Sequence, residues 1–161
     1  MTSNAIHLIT YPAIIVCAIL AGRHAPAPES TPAPRSGVRM LRAQHGTLSP
    51  WEELQMAIIY TESRFDPAAV GTCQDFGLYQ MTPIYVTEIN RVAGTDYAHE
   101  DAFDPGKAVE MFNAMQDYYN PTRDTDTAIR YHNRSAAYRA EVLRNLELIR
   151  RYEAARIQVT K

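Results

Sequence analysis

Apolar residues from position 50 onward recur every three or four positions, which is the spacing of one buried face of an α-helix. Each predicted helix begins at a residue whose side chain can accept hydrogen bonds from the free N–H groups of the first turn. The predicted starts are Ser49-Pro50, Thr82-Pro83, Asp104-Pro105, Asp124 or Thr125, and Ser135. Runs that alternate apolar and polar residues are too short for strands. The sequence therefore predicts a single all-α, or nearly all-α, domain.

The N-terminal part of the chain has a different composition from this predicted domain. Residues 5–22 are uncharged and largely apolar, which indicates a signal peptide or a membrane anchor within residues 1–22. Residues 23–37 are rich in Pro, Ala, Ser and Thr, a composition that favours an extended tether. The folded domain is accordingly expected over residues 38–161.

The charges of the chain give no reason to expect nucleic acid as a partner. The formal net charge is −2, from sixteen basic and eighteen acidic side chains. Residues 52–126 hold four basic and fourteen acidic side chains, whereas residues 127–161 hold eight and three. The acidic middle of the chain would repel a polyanion, so the basic tail is interpreted as a solvated helix face.

Metal and thiol chemistry also find little support. The five His residues are far apart, with no pair at helical spacing, and no Cys pair is present, so we expect no structural zinc. Cys17 and Cys73 do not amount to a disulfide framework, and Cys73, without the pattern of a Cys protease, is interpreted as a bystander. Trp51 is interpreted as a packed helix start rather than a platform for sugar stacking.

One acidic residue lies where the helical pattern expects an apolar side chain. In the first predicted helix Leu54, Ile58 and Glu62 follow at intervals of four, so the Glu62 carboxyl shares a row with two aliphatic side chains. If that face packs inward, loss of water disfavours the carboxylate, and the group can donate a proton at neutral pH. The alternative is a frayed helix end with the carboxyl in water.

The residues after this helix contain two motifs. Residues 62–71 read ESRFDPAAVG and residues 75–83 read DFGLYQMTP. They resemble the E-S-x-F-x-P and G-L-M-Q-x-x-P segments of the soluble lytic transglycosylase (SLT-domain) family, whose fold is lysozyme-like. A third segment, AIRYHN at residues 128–133, resembles the A-x-Y-N segment of that family. The resemblance covers roughly residues 49–135 and looks most like the small specialised members that accompany conjugation, secretion and phage-entry machines.

The resemblance implies a role for the residues of the first two motifs. Glu62 matches the catalytic acid, and Ser63 would help to orient the acid or the glycan. Gln80 would contact the saccharide, and its neighbours Tyr79 and Met81 are expected to line the groove with it. Tyr79 occupies the position at which the family usually has Met.

The third motif would form the far wall of the site. Asn133 matches the family Asn, and either Tyr131 or His132 stands where the family has an aromatic hydroxyl near the acid. The sequence leaves that choice open. Arg134-Ser135 replaces the glycine that commonly follows this motif, and a larger residue there narrows the groove or forces a different turn.

The reaction implied by the resemblance is cleavage of the MurNAc–GlcNAc β-1,4 bond without water and without a cofactor. Glu62 would protonate the departing glycosidic oxygen and then, as a carboxylate, take the proton from the C6 hydroxyl that closes a 1,6-anhydro ring. Hydrolysis normally uses two carboxyl groups. Four aspartates near the motifs are explained by helix caps or turns, which favours a transglycosylase: Asp66, Asp75, Asp104 and Asp124.

Two alternatives stay open. A lysozyme-type muramidase fits if a loop aspartate reaches the groove in three dimensions, and a tethered glycan-binding or assembly component fits if the fold is kept without turnover. Peptidoglycan lies outside the cytoplasmic membrane, so the enzyme interpretation requires residues 5–22 to export or anchor the domain, or a phage particle to deliver it. Arg23, which follows the apolar run, mildly favours an anchor of the opposite orientation. The expected location is the cell envelope, with a membrane contact through residues 5–22 if they are not cleaved.

Overall fold

The computed structural model of the protein describes residues 47–159. In this range five α-helices and one 3₁₀ helix follow one another: α1 (Pro50–Ser63), α2 (Pro83–Ala93), the 3₁₀ helix (His99–Phe103), α3 (Pro105–Tyr119), α4 (Thr125–His132) and α5 (Ala136–Val159). Between residues 47 and 159 the extended pairing is limited to isolated bridges of Phe76 with Val70 and with Met81. The all-α prediction is confirmed. The segments predicted at residues 1–22 and 23–37 lie outside the described residues.

The helices begin where the capping residues predict. At α1 the Ser49 hydroxyl accepts from the Glu52 backbone N–H at 3.3 Å, and the Glu52 carboxylate accepts from the Ser49 N–H at 2.7 Å. Thr82, Asp104 and Asp124 each accept a backbone N–H of the first turn of the helix that follows. These caps satisfy N–H groups that have no partner inside the helix. Of the two predicted caps of α4, Asp124 and Thr125, the structure has Asp124.

The 3₁₀ helix is the one element of this range that the pattern did not predict. It has five residues, which is too short for a helical repeat of apolar positions to show. Asp101 stabilises it by accepting the Ala98 N–H at 2.9 Å and pairing with Lys107 at 2.7 Å.

The core lies where the apolar faces of the helices meet, with α1 against α5 and α2 against α3. Leu54 and Ile58, on the predicted inward row of α1, are 1% and 0% exposed. Burying one such side chain stabilises the fold by about 1.5–3 kcal/mol. Trp51 packs at the start of α1, as predicted, and its Nε1 donates to Asn113 Oδ1 at 3.0 Å.

Residues 64–82, which we call the site loop, connect α1 to α2 without a helix of their own. The loop is attached to the helices at two places. Ser63 Oγ, in the last residue of α1, lies 3.0 Å from Leu78 O. Gly77, with φ +70°, passes so close to the 3₁₀ helix that a Cβ on it would lie 1.8 Å from Ala102 O. The loop is therefore held in place by contacts rather than by regular backbone hydrogen bonding.

Candidate active site

Glu62 lies in the last turn of α1, and its side chain is 18% exposed. The helix end is not frayed, because the Arg64 N–H donates to Tyr60 O and Arg64 itself caps the helix in the left-handed conformation, at φ 52°. The inward row predicted for Leu54, Ile58 and Glu62 is therefore present. Burial of most of the carboxyl makes its charged form expensive unless a partner stabilises it.

His132 provides such a partner. Its Nε2 lies 3.2 Å from Glu62 Oε1, and its side chain is 6% exposed. The imidazole is enclosed by three aromatic rings at centroid distances of 5.8 to 6.1 Å, those of Tyr85, Phe112 and Tyr138. This aromatic enclosure fixes the ring beside the acid and excludes water from one side of it.

Several polar atoms of this enclosure have no hydrogen-bond partner among the described residues: Tyr85 Oη, His132 Nδ1 and Tyr138 Oη. The Tyr138 hydroxyl approaches Glu62 without meeting the geometry of a hydrogen bond. Burial raises the pKa of Tyr138 well above its usual value, and the negative charge of Glu62 raises it further. Tyr138 therefore stays a neutral hydroxyl, which has a proton to donate.

Tyr131 lies on the other side of α4. Its side chain is 40% exposed, and its ring stacks on Tyr119 at 5.0 Å. The structure thus decides the choice that the sequence left open, because His132 and not Tyr131 stands beside the acid. The expectation that Tyr131 lines the wall next to Glu62 is not met.

Gln80 lies in the site loop in the left-handed conformation, at φ 48°, which is uncommon outside glycine. Its Nε2 donates to Ala69 O at 3.2 Å and to Gly77 O at 3.0 Å. These bonds hold the side chain across the loop and leave its Oε1 above Gly71. Strained backbone of this kind is often found at functional sites.

This arrangement can be compared with known families. The profile described as "Transglycosylase SLT domain" matches residues 40–153, which is most of the chain. The chain belongs to the SLT transglycosylase family. Membership of this family indicates lytic transglycosylase activity on peptidoglycan. Such activity takes place outside the cytoplasm. No curated protein and no solved structure matches the chain significantly.

Three side chains of the first two motifs are buried in the SLT domain, and two of them, Tyr79 and Met81, were expected to line the groove. Tyr79 is 0% exposed, stacks on Phe112 at 4.6 Å and donates its hydroxyl to Gln55 Oε1 at 2.7 Å. Met81 is 1% exposed and belongs to the same core. Ser63 is buried with its hydroxyl against the backbone carbonyls of Ile59 and Leu78. All three side chains face the interior of the domain, where they hold the loop on the helices, so the expectation that the side chains of Tyr79 and Met81 line the groove is not met.

Asn133 ends α4 and organises the turn into α5. Its Oδ1 accepts the Ser135 N–H at 2.9 Å, and Ser135 Oγ in turn lies 3.4 Å from the Tyr138 N–H. Among the described residues, those with positive φ all lie outside positions 133–135. Arg134-Ser135, which stands in place of the family glycine, therefore introduces no left-handed backbone at this turn.

Asp75 is a candidate site residue that sequence reasoning missed. Asp66, Asp104 and Asp124 do serve a turn or a helix cap, as predicted. Asp75 differs from them, because it is half-buried and within electrostatic range of Glu62, His99 and His132. Burial raises the pKa of Asp75 above its usual value, the backbone N–H of Cys73 lowers it, and the charge of Glu62 raises it again. Its place directly before the second motif was the available signal.

Cys73 is the single cysteine between residues 47 and 159, and it is disulfide-bonded rather than free. The expectation that Cys73 is a free bystander thiol is therefore wrong. Over the same range no set of three or more His, Cys, Asp or Glu side chains is arranged to hold a metal ion. None of the helices between Pro50 and Val159 is long and apolar enough to cross a membrane.

Proposed function

We propose that this SLT domain is a lytic transglycosylase that cleaves the MurNAc–GlcNAc β-1,4 bond of peptidoglycan and leaves 1,6-anhydro-MurNAc ends. Glu62 is its catalytic acid and base. One observation carries the proposal: a mostly buried carboxyl at the end of α1 faces His132 within 3.2 Å, in a chain of the SLT family. A carboxyl held in this way is positioned to exchange a proton with a substrate bound against it.

The reaction needs a single proton-transferring group. Protonated Glu62 gives its proton to the glycosidic oxygen as the C1–O bond breaks, and positive charge develops on the MurNAc ring. The carboxylate of Glu62 then removes the proton of the C6 hydroxyl, whose oxygen bonds to C1 and closes the anhydro ring. The proton lost in the first step is recovered in the second, so Glu62 ends as it began.

The surrounding residues position this carboxyl in both of its charge states. His132 supports the carboxylate through Nε2, which lies 3.2 Å from Glu62 Oε1, and the hydroxyl of Tyr138 stays neutral in the field of Glu62. Gln80 and Asn133 are the proposed saccharide contacts from the second and third motifs. Each of these two side chains is partly exposed, unlike Tyr79 and Met81.

Mass spectrometry of digested cell-wall sacculi tests the proposal. The parent protein is expected to release anhydro-ended fragments, and Glu62→Gln is expected to lose at least about a hundredfold in rate, since the amide can neither give nor take the proton. Glu53→Gln is the matched control, because Glu53 lies on the same helix but pairs with Arg150 at the surface. Digestion by Glu62→Gln at the parent's rate would exclude Glu62 as the acid.

A second candidate is a lysozyme-type muramidase, and the observation that favours it is the presence of Asp75 near Glu62. Hydrolytic glycosidases use two carboxyl groups, one of which activates water or stabilises an intermediate. The same digest separates the two reactions, since hydrolysis leaves reducing ends only. A parent protein that binds sacculi but releases no fragments would instead support a non-catalytic, tethered wall-binding or assembly component.

The proposed substrate implies a location in the cell envelope or in a virion. We propose that residues 5–22 export the domain or anchor it outside the membrane, with residues 23–37 as the tether, and that the domain serves a secretion, conjugation or phage machine. A reporter enzyme that is active only outside the cytoplasm, fused after residue 37, tests this. Activity of the fusion is expected, and an inactive but stable fusion would contradict export through residues 5–22.

A further inference from the structure

Two side chains of the site loop direct oxygen atoms at one place. A Cβ built on Gly71 would lie 2.6 Å from Asp75 Oδ2 and 2.6 Å from Gln80 Oε1. Both oxygens therefore approach the same point above the bare Cα of Gly71. The Gly71 N–H donates to the Asp75 backbone carbonyl at 2.8 Å, which holds the turn that makes this approach possible.

This oxygen pair lies in the site loop, which begins two residues after Glu62 in the chain. Ser63, the residue after the acid, is joined to Leu78 within the same loop. On the far side Phe76 stacks on His99 at 3.9 Å, and His99 Nε2 lies 2.7 Å from Met81 O. The ionisable groups that act on Asp75 come from three directions: Glu62 from α1, His99 from the 3₁₀ helix and His132 from α4.

The hydrogen-bonding capacity of the pair selects a type of ligand. Gln80 uses its Nε2 on Ala69 O and Gly77 O, so it presents an acceptor oxygen towards Asp75. An ionised Asp75 also presents only acceptors. Two adjacent acceptors favour a ligand that supplies donors, and amino sugars of a glycan carry hydroxyl and amide N–H groups suited to this.

We propose that Asp75 is a second acidic group of the Glu62 site, which binds the glycan and stabilises the positive charge that develops at the anomeric carbon. The proposal rests on the proposed function, because it assumes that Glu62 protonates the leaving oxygen. Asp75 forms no bond to the sugar, stays ionised through the reaction and leaves the C6 hydroxyl as the nucleophile. A negative charge in a partly desolvated site stabilises such a transition state more than it would in water.

Kinetics of Asp75→Asn on sacculi test this proposal. We expect kcat to fall about tenfold to a hundredfold with a smaller change in KM, because the charge acts chiefly on the transition state. The released fragments are expected to keep their anhydro ends. Asp66→Asn is the matched control, since Asp66 is an exposed aspartate of the same loop whose carboxylate accepts only a turn N–H, that of Ala68. Equal kcat values for the two variants would overturn the proposal.

A second variant guards against misfolding of the loop. Asp75→Glu keeps the charge and is expected to recover part of the rate that Asp75→Asn loses. If Asp75 were only structural, Asp75→Asn and Asp75→Glu would be equally impaired in thermal stability and in rate. An inactive Glu62→Gln variant beside a fully active Asp75→Asn variant would reject the role of Asp75 alone. A fully active Glu62→Gln variant would reject the proposed function itself.

A readout without turnover completes the test. The Asp75 carboxyl can be titrated by ¹³C NMR in the parent and in Glu62→Gln. Because the charge of Glu62 raises the pKa of Asp75, its removal is expected to lower that pKa. If the pKa of Asp75 is the same in both proteins, the two carboxyls do not share a site and the proposal fails, whether or not the parent digests sacculi.

Discussion

The helical frame, α1 to α5, and the site loop, residues 64–82, are built on different principles. In the frame, repeating apolar faces are buried against one another and each helix start is closed by a capping side chain. The loop is held in place by single contacts, such as a serine hydroxyl on a carbonyl and a glycine against a neighbouring backbone. Four of its non-glycine residues have the left-handed conformation.

This difference shows which elements hold the side chains of the candidate site in position. Glu62 belongs to the frame and His132 to the end of a frame helix, so the central pair is held by rigid elements. Gln80 and Asp75 belong to the loop, whose strained backbone points them at the same place. Changes in the frame should therefore reduce stability throughout, whereas changes in the loop should act on binding and catalysis as well.

The largest expected effect comes from breaking the contact of the loop with the 3₁₀ helix. Gly77→Ala would place a Cβ 1.8 Å from Ala102 O, so backbone must move, and a loss of more than about 4 kcal/mol in unfolding free energy is expected. Gly94→Ala is the matched control, because Gly94 is also left-handed but has nothing within 4 Å of a Cβ. It should lose only about 1–2 kcal/mol, from the backbone conformation alone. Urea denaturation measures both, and equal losses would show that the close approach is absent.

The next effect distinguishes a core tyrosine from a groove tyrosine. Tyr79→Phe removes the donor to Gln55 Oε1 and leaves a buried acceptor unpaired, so the unfolding free energy should fall by about 1–3 kcal/mol. KM for sacculi should stay at the parent's value, because the hydroxyl faces the interior. Tyr131→Phe is the control for stability, because Tyr131 is exposed. A raised KM in Tyr79→Phe would indicate that Tyr79 contacts the substrate.

A smaller effect tests the frame by itself. Ser49→Ala removes the cap of α1 and should lower the unfolding free energy by about 1 kcal/mol. Ser135→Ala should cost less, since the Ser135 hydroxyl lies at the longer distance of 3.4 Å from the N–H that it caps. Thermal melts compare the two, and kcat measured on the folded protein is expected to be unaffected in both. A loss of kcat in Ser49→Ala would mean that a change at the N-terminal end of α1 alters the site at its C-terminal end.

The smallest effect is a pH dependence of stability. The pKa of Asp75 is raised in the folded protein, above all by burial, so the folded state holds this proton to a higher pH than the unfolded state does. Stability from this group is present below its unfolded pKa and is lost as the pH rises through its folded pKa. Asp75→Asn should therefore flatten the dependence of melting temperature on pH in the acidic range, relative to Asp66→Asn. Parallel profiles would contradict the shift.

Much of the frame could be predicted because its signals are local. A capping side chain and the N–H that it accepts lie three residues apart, and an apolar row follows from the helical repeat. The same repeat placed Glu62 on the inner row of α1, where the structure has it. The loop offered no such repeat. Leu78, Tyr79 and Met81 are buried while Gln80 between them is not, because the left-handed backbone at Gln80 turns its side chain away from theirs.

The amino-acid pattern alone was enough to predict the α-helices, their starts, the family and the inward position of Glu62, since each depends on neighbours in the chain. Three features follow from the packing alone: His132 rather than Tyr131 faces Glu62, Tyr79 belongs to the core, and Asp75 lies within electrostatic range of Glu62. The physical reason is that the direction of a side chain at a helix end or in a loop is set by what packs against it. Those contacts join α1, the site loop, the 3₁₀ helix and α4, and residues so distant in sequence leave no periodic pattern.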